Sequence, residues 1–62
     1  MNRLKWQEAP KAERLRICGF YADYVKRTEG RSLQVEYLDE AWRDCWFDVI
    51  KFTFGPDAWR LQ

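Results

Sequence analysis

The amino-acid sequence predicts an all-α protein, an antiparallel helical hairpin with helices at about 10–28 and 32–54. Two long stretches carry apolar residues at helical spacing, and Glu29-Gly30-Arg31-Ser32 separates them near the middle of the chain. With 62 residues the chain allows one small domain, 1–62, which buries only about 60% of the surface of its unfolded form. Four Trp, three Tyr and four Phe argue against disorder, because they supply the apolar area that folding requires.

The first predicted helix follows Pro10 and has a broad apolar face. Its apolar residues recur at i, i+3, i+7 and i+10, and four more widen the stripe: Leu15, Cys18, Ala22 and Val25, with Ile17, Phe20, Tyr21 and Tyr24. Gly19 costs about 1 kcal/mol relative to Ala in a helix interior, so its presence predicts the close approach of another helix.

The second predicted helix has Ser32 as its N-cap and Gly55 followed by Pro56 as its stop. Its apolar stripe, at about 100° per residue, consists of Leu38, Ala41, Trp42, Cys45, Trp46, Val49, Phe52 and Thr53. The crowding of Phe, Val, Ile and Thr leaves an alternative open, a β-strand near 46–54 in an α+β fold. We favour the helix because the match to a period of 3.6 is longer than the match to a period of 2.

An antiparallel hairpin with a turn near Arg31 and Ser32 brings together residues whose numbers sum to about 63. Each such pair joins two apolar residues: Val25 with Leu38, Ala22 with Ala41, Tyr21 with Trp42, and Cys18 with Cys45. The small side chains of Cys18, Ala22, Ala41 and Cys45 allow the two backbones to approach closely. The register therefore predicts that Cys18 and Cys45 lie close together across the seam as free thiols.

Both ends of the chain carry apolar anchors that we expect to dock on the open side of the hairpin, namely Leu4, Trp6, Trp59 and Leu61. A monomer in which Trp6, Trp59 and Leu61 fold back as a third layer stays an alternative to self-association. No apolar stretch approaches the roughly 20 residues that a membrane span needs, and the first ten residues include charged side chains. The sequence thus predicts a cytoplasmic protein, without membrane contact, whose cysteines stay reduced.

Catalysis has few candidate residues in this sequence. The chain has no His and two Cys, which excludes the usual zinc sites and a His-based triad. Both Cys lie in apolar stripes, where a raised thiol pKa and low reactivity are expected. The carboxylates spaced four apart, Asp44 with Asp48 and Glu36 with Glu40, fall on a predicted solvated face. We therefore expect no enzymatic activity, no metal and no cofactor.

Charge is divided unevenly between the two halves, although the net charge of the chain is only +1. Residues 1–31 carry a net +4 and residues 32–62 a net −3. One interpretation is attraction between two oppositely charged helices, which favours the hairpin and its self-association. The alternative is a nucleic-acid-binding regulator whose basic first helix contacts phosphates. The candidate residues for that role are Arg14, Arg16, Lys26 and Arg27.

The surplus of apolar side chains supports a role in protein binding. Phe47, Ile50 and Phe54 recur at i, i+3 and i+7 outside the core stripe of the second helix, among charged residues. A lone hairpin leaves them exposed, and such a patch exceeds what soluble monomers tolerate. With Arg43 and Trp46 they form the predicted partner-binding surface. The expected partners are a second copy, in a homodimer that forms a small bundle, and a larger protein that the chain adapts or inhibits, as small phage and plasmid products do.

In layout the chain resembles the Rop-type plasmid copy-control proteins, in which two helical hairpins dimerise as a four-helix bundle and bind RNA hairpins. The resemblance covers the chain length, the mid-chain turn and the amphipathic pattern. Bulky aromatic residues stand here where that bundle stacks small and medium aliphatic residues, so no functional residue is transferred from it.

Overall fold

The computed structural model describes residues 3–58 and is built from helices. A short 3-10 turn at Trp6–Glu8 precedes three α-helices, which we label α1 (Lys11–Glu29), α2 (Val35–Ala41) and α3 (Phe47–Phe54). Within residues 3–58 the only β pairing is an isolated antiparallel bridge between Lys5 and Trp46. The predicted all-α class is confirmed, and the alternative of a strand near 46–54 is wrong.

Local signals set both ends of α1, so the predicted helix at about 10–28 is confirmed to within a residue at each end. Pro10 directly precedes the first turn, and its φ of −57° and ψ of 135° lie outside the helical region. Gly30 ends the helix in the left-handed region, with a φ of 73°, and its N–H donates to the Lys26 carbonyl at 3.0 Å. Lys26 and Arg27 in the last turn also match the negative end of the helix dipole.

The predicted second helix at 32–54 is wrong, because the chain leaves helical geometry at Trp42 and resumes it at Phe47. The chain bends between the two helices, at residues 42–46, and backbone groups of this bend and of the start of α3 form hydrogen bonds with the N-terminal segment. The Trp6 N–H donates to the Cys45 carbonyl at 2.7 Å, and the Phe47 N–H donates to the Leu4 carbonyl at 2.8 Å. These bonds satisfy backbone groups that a continuous helix would have used internally.

The ends of the two shorter helices follow the sequence signals only in part. Ser32 does not cap the second helix, since α2 starts after Gln34, which makes no side-chain capping bond. The predicted stop is correct, because α3 ends at Phe54 and the Gly55 N–H donates to the Lys51 carbonyl at 2.9 Å.

The buried core joins the N-terminal segment to all three helices. Its central side chains are Trp6, Ile17, Cys18, Leu38 and Ile50. Further apolar side chains pack around them: Tyr21, Ala22, Leu33, Val35, Trp42, Phe47 and Phe54. Trp6 is fully buried, as the alternative with folded-back ends requires of this residue, whereas Leu4 is 42% exposed. Trp59 and Leu61, the C-terminal anchors, lie outside the described residues.

Of the pairs in the predicted hairpin register, the structure shows Tyr21 with Trp42, whereas Ala41 is exposed. The rings of Tyr21 and Trp42 lie 5.6 Å apart between centroids, as the register requires. Cys18 is buried and Cys45 is exposed, so the prediction that both line one seam is wrong. The reason is the bend after α2. A continuous helix would have placed its next turn beside Trp42, but Trp6 packs there instead. None of the helices in residues 3–58 is long and apolar enough to cross a membrane.

The two cysteines should react at very different rates, which tests the bend directly. Burial raises the pKa of the Cys18 thiol to about 11, an effect that the Asp39 carboxylate strengthens and Arg14 opposes. We expect a thiol reagent at neutral pH to modify Cys45 rapidly and Cys18 only after unfolding, as read by peptide mass spectrometry. Rapid modification of Cys18 in the native protein would contradict the fold.

The same thiol makes stability depend on alkaline pH. The pKa of Cys18 is higher in the folded chain than its ordinary value of 9.0, so folding favours the neutral thiol. The neutral Cys18 thiol therefore contributes fully to the free energy of unfolding below pH 9.0. This stabilisation is lost as the pH rises through about 11.

Candidate functional site

The three apolar residues expected on the surface of the second helix belong to the core. Ile50 is 5% exposed, and Phe54 stacks on Trp42 with ring centroids 5.2 Å apart and planes 5° apart. The Phe47 ring lies 5.7 Å from that of Trp6. The expectation that Phe47, Ile50 and Phe54 lie outside the core is therefore wrong. The bend frees α3 from the helical phase of α2, so α3 turns this face inward.

Arg43 and Trp46, the other two residues of the predicted partner-binding surface, do lie on the outside. Arg43 forms an exposed ion pair with Glu40, with 2.7 Å between Nη1 and Oε1. Trp46 is 38% exposed, and the cations of Arg3 and Lys5 lie 4.8 and 4.3 Å from its ring centroid. Contact of a partner with either residue stays a prediction.

The outer side of α3 carries side chains that the sequence pattern had placed in the core. Val49 and Phe52 are 46% and 78% exposed. They lie about half a helical turn away from the three inward-facing residues of the same helix. The sequence pattern inverted the two faces of α3 because it assumed that one helical phase runs unbroken from Leu38 to Phe52.

A groove between α1 and α3 adjoins the exposed Phe52 ring. It encloses about 290 Å³ and is lined by Arg16, Asp48, Lys51, Phe52, Pro56, Asp57 and Ala58. Beside it, at the end of α3, position 55 requires a glycine, because a Cβ there would meet the Lys51 carbonyl. Charged groups of both signs surround an apolar ring here, which is an arrangement suited to binding another protein.

A second, shallower groove lies on the side of α1 that faces away from the core. It has a volume of about 360 Å³ and is lined by Leu15, Arg16, Gly19, Phe20 and Asp23. Leu15 and Phe20 are 39% and 41% exposed, although the sequence pattern assigned both to the apolar face of the hairpin. Arg16 borders both grooves.

Arg14, one of the four basic residues of the predicted nucleic-acid surface, is a structural residue. Its Nε donates to Asp39 Oδ1 at 3.0 Å, and its Nη1 donates to the carbonyls of Ala9 at 2.8 Å and Gln7 at 3.2 Å. Asp39 Oδ1 also accepts the indole N–H of Trp6 at 2.7 Å. Contact with a phosphate would have to compete with these bonds.

The other three residues of the predicted nucleic-acid surface are exposed and have nearby partners. Arg16 pairs with Glu13 at 3.4 Å and Arg27 with Asp23 at 3.3 Å. The Lys26 ammonium donates to the Ser32 hydroxyl at 3.5 Å. A role of these cations in phosphate binding stays a prediction.

The network around Arg14 has a signal in the sequence that residue-type arguments missed. Arg14 lies four residues before Cys18 and seven before Tyr21, which places it on the buried face of α1. Asp39 follows the buried Leu38 and lies three residues before Trp42. A charged residue at a core position of each of two helices indicates a partly buried ion pair.

Charged side chains of the groove between α1 and α3 form ion pairs. Asp48 pairs with Arg3 at 3.2 Å, and the Lys51 ammonium lies 4.0 Å from a carboxylate oxygen of Glu13. Across residues 3–58 no three His, Cys, Asp or Glu side chains gather in a way that could hold a metal ion. Comparison of the chain with known protein families, with curated proteins and with solved structures found no match.

Proposed function

We propose that this chain is a non-catalytic protein–protein interaction module that acts as an adaptor or an inhibitor of a larger protein. Its contact surface is the outer α3 surface, which we define as Val49, Phe52 and the groove between α1 and α3. This surface lies on the opposite side of α3 from the one expected from the sequence, and it keeps the same type of chemistry, an aromatic ring among charged side chains.

The exposure of Phe52 is the observation that carries this proposal. The residue is 78% exposed on a helix whose other face is packed into the core. Burial of a Phe side chain contributes about 1.5 to 3 kcal/mol, and at this position the isolated chain forgoes most of that contribution. A partner that covers Phe52 would recover it, which makes this ring the natural anchor of an interface.

The charges around Phe52 favour a protein partner. Arg16 and Lys51 line one groove together with Asp48 and Asp57, so both signs of charge surround the ring. A nucleic-acid backbone would be attracted by the two cations and repelled by the two carboxylates. The groove suits a protein segment that inserts an apolar side chain beside Phe52 and places polar groups at the charged rim.

Affinity capture from cells of the native host tests this proposal. We expect the tagged wild-type chain to retain a specific protein, identified by mass spectrometry, and the Phe52→Ser variant to lose it. An aromatic anchor contributes about 2 kcal/mol or more, which corresponds to binding that is weaker by about 30-fold. Tyr37→Ser is the matched control, because Tyr37 is also aromatic and is 66% exposed on α2.

Two results would count against the outer α3 surface. Equal retention by the wild type and Phe52→Ser would show that the anchor lies elsewhere. Recovery of RNA or DNA that is released by nuclease or by moderate salt would support the nucleic-acid alternative, since phosphate contacts weaken steeply with ionic strength.

A further inference from the structure

The outward face of α1 has features of a helix-packing surface, and no helix within residues 3–58 packs on it. Its residues recur at i, i+3, i+4, i+7, i+8 and i+11, which places them on one side of the helix: Ala12, Leu15, Arg16, Gly19, Phe20 and Asp23. Five of these six line the shallow groove described above. The core face of α1, with Cys18 and Val25, points the other way.

Among residues 3–58, neither packing nor backbone conformation requires a glycine at position 19. A Cβ added at this position would meet nothing within 4 Å, and its φ is not in the left-handed region. Gly is unfavourable in a helix interior, and the predicted close approach of another helix is not made by α2 or α3. The open space at Gly19 therefore suits a side chain from outside the chain.

We propose that a second copy of this chain packs its α1 antiparallel against the outward face of α1. A two-fold axis between Gly19 and Phe20 brings together residues whose numbers sum to about 39. Gly19 of one copy then lies at the same level as Phe20 of the other, and the half-exposed ring reaches across the contact toward the space that the glycine leaves. This inference is separate from the outer α3 surface, with which the contact shares Arg16.

Charge complementarity supports the same register. Arg16 of one copy faces Asp23 of the second copy, and the two-fold axis makes this pair twice. Arg16 and Asp23 are close in angle around the helix, so they lie on the same side of the contact, as a two-fold antiparallel pair requires. Their present partners Glu13 and Arg27 form exposed pairs within α1, which contribute little and do not prevent new ones.

Light scattering coupled to gel filtration tests the dimer. We expect wild-type chain at about 0.5 mM to approach twice the mass of one chain and to dissociate on dilution, because a single helix pair makes a small interface. Arg16→Asp places a carboxylate at position 16 of each copy against the carboxylate of Asp23 in the other copy. Asp23→Arg places a guanidinium at position 23 of each copy against that of Arg16 in the other copy. Each variant alone should be monomeric, with dimerisation weakened by about 100-fold.

A mixture of the two variants gives the sharpest result. Arg16→Asp and Asp23→Arg together restore opposite charges at both contacts, so an equimolar mixture should form a heterodimer while neither variant forms a homodimer. Arg43→Asp is the control, since Arg43 is exposed after the end of α2 and should leave the dimer unchanged.

Gly19→Leu provides an independent test that does not change charge. The open space at Gly19 lets the monomer accept the side chain, so the helical circular dichroism signal should persist while the dimer is lost. Any of three results would overturn the proposal: wild type that stays monomeric at about 0.5 mM, single charge variants that still form homodimers, or a mixture that stays monomeric.

Discussion

The Trp6→Ala variant should lose a large share of the free energy of unfolding of the domain. Trp6 is fully buried, and its ring packs edge-on against Trp42 with centroids 5.2 Å apart. Removal of a buried Trp side chain costs about 3 to 5 kcal/mol through lost burial and the cavity left behind. A domain of this size has a free energy of unfolding of only about 3 to 9 kcal/mol. Urea unfolding followed by circular dichroism should show a midpoint far below that of the wild type.

Two further Trp variants separate the causes of that loss. Trp46→Ala removes a ring that is 38% exposed, so we expect a smaller cost of about 1 to 2 kcal/mol. Trp6→Phe keeps an aromatic ring in the core and removes the indole donor to Asp39, and it should fall between the two. Equal stability of Trp6→Ala and Trp46→Ala would contradict the position of Trp6 in the core.

The Asp39→Ala variant should lose about 2 to 3 kcal/mol of stability. Asp39 Oδ1 accepts hydrogen bonds from both the Trp6 indole and the Arg14 guanidinium, and these side chains come from three different segments. The Arg14 and Asp39 side chains are only 13% and 23% exposed, so water replaces the lost carboxylate incompletely. Loss of one partner from such a pair leaves desolvated donors unsatisfied.

An exposed ion pair provides the control for Asp39→Ala. Asp48 pairs with Arg3 at 3.2 Å, but the two side chains are 64% and 49% exposed. Asp48→Ala should cost less than about 1 kcal/mol, because water and salt screen this pair. Denaturant midpoints of the two variants, measured in the same buffer, compare these costs, and we expect the lower midpoint for Asp39→Ala. Similar midpoints would mean that the Asp39 network contributes no more than a surface pair.

The parts of the fold that local chemistry controls could be predicted from the sequence. Pro10 and Gly30 fix the ends of α1 through their own backbone preferences, and α3 ends at Gly55, whose backbone is extended before Pro56. The apolar periodicity also paired Tyr21 with Trp42 correctly, because neither residue lies beyond the bend.

The bend itself depends on contacts between residues that are far apart in the chain. Trp6 meets Cys45 and Leu4 meets Phe47 through backbone hydrogen bonds, across about 40 positions of sequence. Helical periodicity over residues 32–54 contains no sign of them, so it predicted one unbroken helix. The candidate site inherited this error, because the direction in which Phe52 points depends on where α3 restarts.

Site-specific photo-cross-linking in cells tests most directly whether the outer α3 surface binds a partner. A photoreactive phenylalanine derivative replaces Phe52 in one variant and Tyr37 in a second, and both native side chains are aromatic and exposed. The account predicts a discrete cross-linked product of the chain with a larger protein from position 52 and none from position 37. Products of equal yield and identity from both positions, or none from position 52, would contradict it.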